Sequence, residues 1–167
     1  MARVVTGRHE RVEAMLAEVA PALLGYFVNR VEVRADAADL VSETLATVWR
    51  HVRRVPEPRD ESQMWVFGVA RNVLRNHERG ARRRDTLAAR LRSALVEAPE
   101  ADADELTELR VLVASLPIEL AELVRLVYWD GFTIEDAARH LGIPASTARG
   151  RHQRAKAALQ ARLAVAR

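Results

Sequence analysis

Gly131-Phe-Thr-Ile-Glu-Asp-Ala-Ala-Arg-His-Leu141, then Gly142-Ile-Pro144, then Ala145-Ser-Thr-Ala-Arg-Gly-Arg-His-Gln-Arg-Ala-Lys-Ala-Ala-Leu159: a short amphipathic segment, a three-residue break and a basic segment follow one another. Thr133 stands three residues before Asp136, the spacing of a helix cap, and Ile134, Ala137, Ala138 and Leu141 fall on one helical face. Gly142 ends that helix by supplying the left-handed conformation that glycine adopts at little cost. Ile143 is placed to plug the gap between two helices, and Pro144 starts a new chain direction. A short helix, a glycine turn and a second helix at this spacing predict a helix-turn-helix.

From Ala145 to Arg167 there are six basic residues (Arg149, Arg151, Arg154, Lys156, Arg162 and Arg167) and no acidic one. A helix with a basic exposed face, offering Ser146, Thr147 and Arg149 at its N-terminal end, suits the major groove of DNA. Arginine and small polar side chains there read base edges while others hold phosphates. Charge alone fits a solvated helix on an ordinary bundle equally well; charge joined to the Gly-Ile-Pro turn favours DNA.

The 167 residues allow one compact domain or two small ones, and 49% hydrophobic content with few aromatics and glycines indicates folded helical structure. The net charge of +3 is unevenly spread: residues 1–84 hold 15 basic and 11 acidic side chains, residues 85–104 hold 2 and 5, and residues 105–167 hold 9 and 7. Two basic blocks are thus joined by an acidic connector. The absence of cysteine excludes disulfides, thiolate zinc sites and cysteine nucleophiles. His9, His51, His77, His140 and His152 are too dispersed to form a local metal cluster, and no cofactor is expected. No apolar run approaches the ~20 residues of a membrane span and the N-terminus lacks a signal-peptide core, so the expectation is a cytoplasmic protein without membrane insertion.

In chain order, an amphipathic helix is predicted from about Arg8 to Ala20, with Val12, Met15, Leu16 and Val19 on one side. Pro21 permits a bend or a new start, and Leu23, Leu24, Phe27 and Val31 continue the stripe to about Val33. Asp36 is predicted to cap a helix from Ala37 to about Arg53, whose buried line is Val41, Leu45, Val48 and Val52, with Leu40 and Trp49 beside it. Pro56-Glu-Pro-Arg-Asp-Glu-Ser62 reads as a loop able to hold a ligand or a base. A further helix follows from about Gln63 to Arg79, with Trp65, Val66, Val69 and Val73 on one apolar strip and Phe67, Ala70 and Leu74 on the next. Opposite lie Arg71, Asn72, Arg75, Asn76 and Arg79, with Arg82 to Arg84 just beyond. This face is suited to phosphates and bases; its plain alternative is a solvated helix end where the dipole favours arginine. Trp49 and Trp65 read as core residues. Leu87, Leu91 and Leu95 can sustain a short helix before the acidic run from Pro99 to Glu105. The expected organisation is all-α: a four-helix domain over residues 8–84, a flexible linker over 85–104 and a second helical domain over 105–167. In that second domain, Leu106, Leu109 and Val113 mark one helix. Ser115-Leu-Pro117 forms a cap and first turn, and Leu120, Leu123, Val124 and Val127 mark a helix over 118–128.

Three segments together resemble a bacterial sigma-70 family RNA polymerase sigma factor of the extracytoplasmic-function group. Asp36-Ala-Ala-Asp-Leu-Val-Ser-Glu-Thr-Leu-Ala-Thr-Val-Trp-Arg50 is similar to region 2.2, Trp65-Val-Phe-Gly-Val-Ala-Arg-Asn-Val-Leu-Arg-Asn76 to regions 2.3 and 2.4, and Leu116-Pro117 through Leu159 to region 4. The resemblance implies a protein that binds core RNA polymerase and directs it to promoters. Asp36, Asp39, Leu40, Glu43 and Trp49 would dock on the clamp of the polymerase β′ subunit, and region 4 would meet the β flap. The loop residues Arg59, Asp60 and Ser62, with Arg71, Asn72, Arg75 and Asn76, would take the −10 element, offsetting the few kcal/mol needed to extrude a base. Arg149, Gly150, Gln153 and Arg154 would face bases of the −35 element, with Ser146 beside them and Thr147 and Arg151 on phosphate. The acidic connector would run near the active-site cleft and RNA exit path, and an anti-sigma factor is an expected partner. The chain departs from the family pattern at Ser42, where glutamine is usual, and at Pro144, where serine or threonine often caps the recognition helix. It departs again at Gly150, usually serine, and at His152, usually apolar and here read as a half-buried packing residue.

Two binding-module alternatives compete. A stand-alone helix-turn-helix regulator would bind duplex DNA without polymerase, but it leaves the Arg71–Arg84 face unexplained. A helical interaction protein without DNA contact would tolerate charge reversal at Arg149 and Arg154. An enzyme is not expected: the sequence has no glycine-rich phosphate loop, metal-ligand spacing or nucleophile setting, and Asp39 with Glu43 lacks a companion histidine.

Overall fold

The computed structural model describes the backbone of residues 2–92 and 105–165 and the side chains of residues 7–83 and 108–164. Among these every regular element is helical, and the chain forms two compact units, Met1–Val96 and Glu97–Arg167. The acidic run from Pro99 to Asp104, and Leu95, lie outside the described residues.

The first unit is built on α1 (Ala2–Val28), α2 (Arg34–Arg50) and α3 (Arg59–Arg92), with a 3-10 turn over Val52–Arg54. Pro21 does not restart the chain: α1 runs through it. An interior proline costs about 3 kcal/mol in an isolated helix. Here Met15, Leu16 and Val19 are buried before it, and Leu23, Tyr26 and Phe27 after it, while Pro21 itself stays exposed. Burial on both sides of the proline outweighs the lost hydrogen bond.

α2 begins two residues before the expected Asp36 cap. Val33 holds the N-cap position in extended geometry with no side-chain bond, and Asp36 sits in the first turn. The buried line is also rotated from the expected one: Ala37, Leu40, Thr44 and Val48 are inside, Val41 and Leu45 are half-buried, and Trp49 is 44% exposed. A threonine occupies the core because its hydroxyl donates to the Leu40 carbonyl at 2.7 Å, leaving no unsatisfied donor. The helix expected from Gln63 to Arg79 instead starts at Arg59 and runs to Arg92. It buries Val66, Phe67, Ala70, Val73 and Leu74 against α1 and α2. At the centre Tyr26 is fully buried, edge-on to Phe27 and Phe67 at 5.4 and 5.6 Å, with the Arg30 guanidinium 3.8 Å from its ring centroid.

The second unit contains α4 (Glu105–Ala114), α5 (Ile118–Val124), a π turn over Arg125–Trp129, α6 (Ile134–Leu141) and α7 (Ala145–Val165). Val113, Leu116, Leu120, Ala121, Val124 and Ala155 form its core cluster. The Ser115 hydroxyl donates back to Leu112 O at 2.6 Å, so Pro117 takes the N-cap position of α5 without a side-chain bond. The π turn adds a residue to the helical circuit, which is why Leu126 is fully buried and Val127 only half-buried. On α4, Leu109 points outward at 43% exposure while Val113 is buried.

α6 is bounded as its sequence dictates. Thr133 Oγ1 accepts from Asp136 N at 3.0 Å and donates to the Asp136 carboxylate at 2.8 Å. Gly142 adopts φ +68°, Ile143 N donates to Ala138 O and Gly142 N to Arg139 O, the paired bonds of a Schellman motif. The Thr133 hydroxyl, followed by Arg139, holds the Asp136 carboxyl below the usual carboxylate range against partial desolvation. A depressed folded-state pKa contributes stability above the unfolded value and loses it as pH falls through the folded value. Thr133→Ala is therefore expected to destabilise this unit by about 1 kcal/mol at neutral pH, with the gap from the parent narrowing as acid protonates Asp136. Thermal melts across the acid range measure it.

Candidate nucleic-acid interface

α7 presents three faces. Ala148 and Ala155 are fully buried against the rest of the unit, and Ala158 and Leu159 are partly so. Ser146, Arg149 and Gln153, one turn apart in succession, form an outward strip with Gly150 and Lys156 beside it; all but half-buried Gly150 are exposed. A Cβ added at Gly150 would meet nothing within 4 Å, so the helix surface there is open. Arg154 is exposed and Thr147 half-buried on one flank. Arg151 turns further inward: its side chain is 20% exposed and Nη2 lies 3.2 Å from Glu119 of α5. The structure thus gathers Ser146, Arg149, Gly150 and Gln153 on one surface with Arg154 at its edge, and it places Arg151 on the seam with α5.

Two neighbours shape this surface. Arg149 Nη1 donates to Glu135 Oε1 of α6 at 2.8 Å, so the arginine is held across the helix-turn-helix before any ligand arrives. His152 is half-buried, as expected of it, stacked on Tyr128 with ring centroids 5.7 Å apart and its Nε2 3.0 Å from the Tyr128 hydroxyl.

In the first unit, Asn72, Arg75 and Asn76 are exposed and Arg71 is half-buried. Arg79 donates to Asn76 Oδ1 and to Arg75 O, adding a cation to the same row. Asn72, Asn76 and Trp65 of α3 line a groove of about 370 Å³ between α2 and α3, opposite Glu43, Thr47, Arg50 and Arg54. Trp65, read from periodicity as a core residue, is a half-buried groove wall. The sequence places Arg50 on the polar face of α2 with Asp39 and Glu43 but does not single out Arg54; the signal for both as groove residues is the basic end of α2 and the 3-10 turn opposite an asparagine-bearing helix.

Residues Arg59, Asp60 and Ser62 do not join this groove. They form the first turn of α3, and Ser62 lies nine residues, roughly 14 Å, from Arg71 along the axis. Ser62 is 3% exposed and its hydroxyl donates to Arg59 O at 2.7 Å, so it is a buried helix-start residue and not an open-loop contact. Arg59 pairs with Glu18 of α1, and Asp60 is exposed. The open segment is shorter than the sequence predicts, spanning Val55 to Pro58. On α2, Asp39, Glu43 and Trp49 are exposed, with His9 edge-on to the Trp49 ring at 5.4 Å. Leu40 is 3% exposed and belongs to the core, so it supports that face from beneath. Asp36 faces His77 of α3 at 3.6 Å.

The Sigma-70 region 2 family model matches residues 15–84, the first unit with its groove, and the Sigma-70, region 4 model matches residues 106–159, the unit with the helix-turn-helix. The chain is 29% identical over 153 residues to the ECF RNA polymerase sigma factor SigL of Mycobacterium tuberculosis strain H37Rv, covering 89% of this chain and 86% of the relative. It is 30% identical over 147 residues to the ECF RNA polymerase sigma factor EcfG of Rhodopseudomonas palustris strain TIE-1, covering 87% and 81%. Two solved structures share the fold: the sigma factor RpoE of Bartonella quintana in complex with the anti-sigma factor NepR, at TM-score 0.71, 24% identity and coverage of 95% and 99%, and CnrH in complex with the cytosolic domain of CnrY, at TM-score 0.66, 24% identity and coverage of 98% and 94%. With two helical units in family order, the polar groove in one and the cationic helix-turn-helix in the other, the chain belongs to the sigma-70 family and is an RNA polymerase sigma factor of the extracytoplasmic-function group.

Proposed function

We propose that this sigma factor binds core RNA polymerase and places it on promoters by reading the −10 element with the first unit and the −35 element with the second. The observation that carries this is the division of labour between the faces. The second unit has a straight helical strip, Ser146–Arg149–Gln153, of the shape that enters a duplex major groove. The first has a concave groove with an aromatic wall, two amides and two arginines, with Glu43 on its α2 side toward the clamp-facing residues, which suits unstacked bases and a single-stranded backbone. Two modest contacts on separate units reinforce one another once a third body sets their spacing. Core polymerase is that body, engaged through exposed Asp39, Glu43 and Trp49 at the β′ clamp and through the second unit at the β flap. Promoter DNA is the ligand. The anti-sigma factor NepR, named as the partner in one of the two solved structures, supports a partner of that kind for this chain.

The test is binding and initiation with and without core polymerase. The free protein is expected to bind duplex promoter DNA weakly, whereas the reconstituted holoenzyme binds tightly, shows steep loss with salt, and moves transcript starts on a genomic promoter library. Nanomolar sequence-specific binding by the free chain, with no change in start sites, would establish a stand-alone regulator instead.

A further inference from the structure

Between Val55 and Arg59 the chain contains Pro56 and Pro58, which bring carbonyls but no backbone N–H. Such a loop has more acceptors than donors, and its carbonyls need partners from elsewhere. Two arginines of α1, 45 to 49 residues away in sequence, supply them. Arg8 Nη1 donates to Arg53 O at 2.9 Å and Nη2 to Glu57 Oε1 at 3.0 Å. Arg11 Nη1 donates to two successive carbonyls, Pro56 O at 3.1 Å and Glu57 O at 2.9 Å. The Glu18–Arg59 pair adds a third link from the same helix. Behind the loop lies a cavity of about 230 Å³ lined by Arg11, Met15, Val55, Glu57, Arg59 and Ser62, and Arg11 Nη2 is buried without a hydrogen-bond partner.

We infer that Arg8 and Arg11 are positioning residues for promoter reading: from α1 they clasp the Arg53–Glu57 backbone, so that Glu57, Pro58, Arg59 and Asp60 meet the −10 strand as a preformed surface. The inference rests on the proposed function and extends its −10 contact from the groove to the first turn of α3 and the loop before it, which the groove does not include. A loop ordered in advance does not lose that freedom on binding, and a rigid surface rejects a wrong base that a mobile one would accommodate. Guanidinium bonds to carbonyls are charge-assisted, and Arg11 makes both of its bonds from one terminal nitrogen, Nη1. A lysine keeps the charge, but its ammonium sits one bond nearer the backbone than Nη1 and falls short of the two carbonyls, which makes Arg11→Lys the informative substitution.

The full chain reconstituted with core polymerase is assayed on one promoter taken from the library, each −10 base being replaced in turn, with −35 substitutions as an internal control. The readout is the ratio of initiation on the parent and substituted promoters, a quantity that a loss of folded protein does not change. For Arg11→Lys the −10 ratio is expected to fall at least about fivefold, with the −35 ratio and polymerase binding unaltered. Equal −10 ratios in parent and variant, where the parent discriminates, would overturn the clasp and leave the proposed function standing. A parent that does not discriminate −10 bases would overturn that function's −10 assignment and the clasp with it. If Arg11→Lys does not fold, Arg8→Gln, which releases the exposed half of the clasp without touching the proposed reading surface, is read by the same ratio and decides in the same way.

Discussion

Arg149→Ala is expected to reduce the advantage of an intact −35 element over a scrambled one by roughly ten- to a hundredfold, the range spanned by loss of one well-placed arginine–base contact. Its side chain is 56% exposed and its ion pair with Glu135 bridges two surface positions, so removal leaves the core of the second unit untouched. An exposed pair of this kind contributes at most about 1 kcal/mol to stability. The melting temperature should therefore stay close to that of the parent while discrimination collapses, and discrimination at −10 should be unaffected. Transcription by reconstituted holoenzyme on promoters differing only at −35 measures it. An unchanged −35 preference would remove Arg149 from the reading surface and return the basic face of α7 to a solvated role.

Tyr26→Ala carries the largest expected effect on stability. Tyr26 is fully buried where α1 meets α3, between Phe27 and Phe67, and the Arg30 guanidinium lies over its ring. Removing a buried aromatic of this size costs about 3–5 kcal/mol through lost transfer energy and the cavity left behind, against a total of about 5–15 kcal/mol for a typical domain. The two units have separate cores, so the loss falls on the first. The circular-dichroism melt of Tyr26→Ala is expected to show an early transition for the first unit, followed by one near the parent temperature for the second. Promoter-directed initiation should fail although no proposed DNA contact has been altered. A single transition shifted as a whole would show instead that the two units unfold together.

Much of the second unit was legible before any coordinates. The Thr133 cap with Asp136 and the left-handed Gly142 are chemistry within one or two turns of chain, where few side chains can perform each task. The basic, acid-free run along α7 is likewise a property of composition. The helical character of the whole chain follows from periodicity of the same short range.

The sequence by itself thus determined the element type, the helix-turn-helix and its charge, because each depends on interactions between residues fewer than about eight apart. Which face each helix turns inward, and which neighbour meets it there, was decided only by tertiary packing. Thr44 is buried because its own helix carbonyl satisfies it, and the π turn at Arg125–Trp129 shifts the phase of its own apolar residues. α1 continues through Pro21 because the core grips it on both sides, and Ser62 is hidden because α3 begins four residues earlier than its prolines imply. The bonds from Arg8 and Arg11 to a loop more than forty residues away are invisible to any local pattern. Periodicity records that a face is apolar; only the fold records which distant carbonyl a side chain reaches.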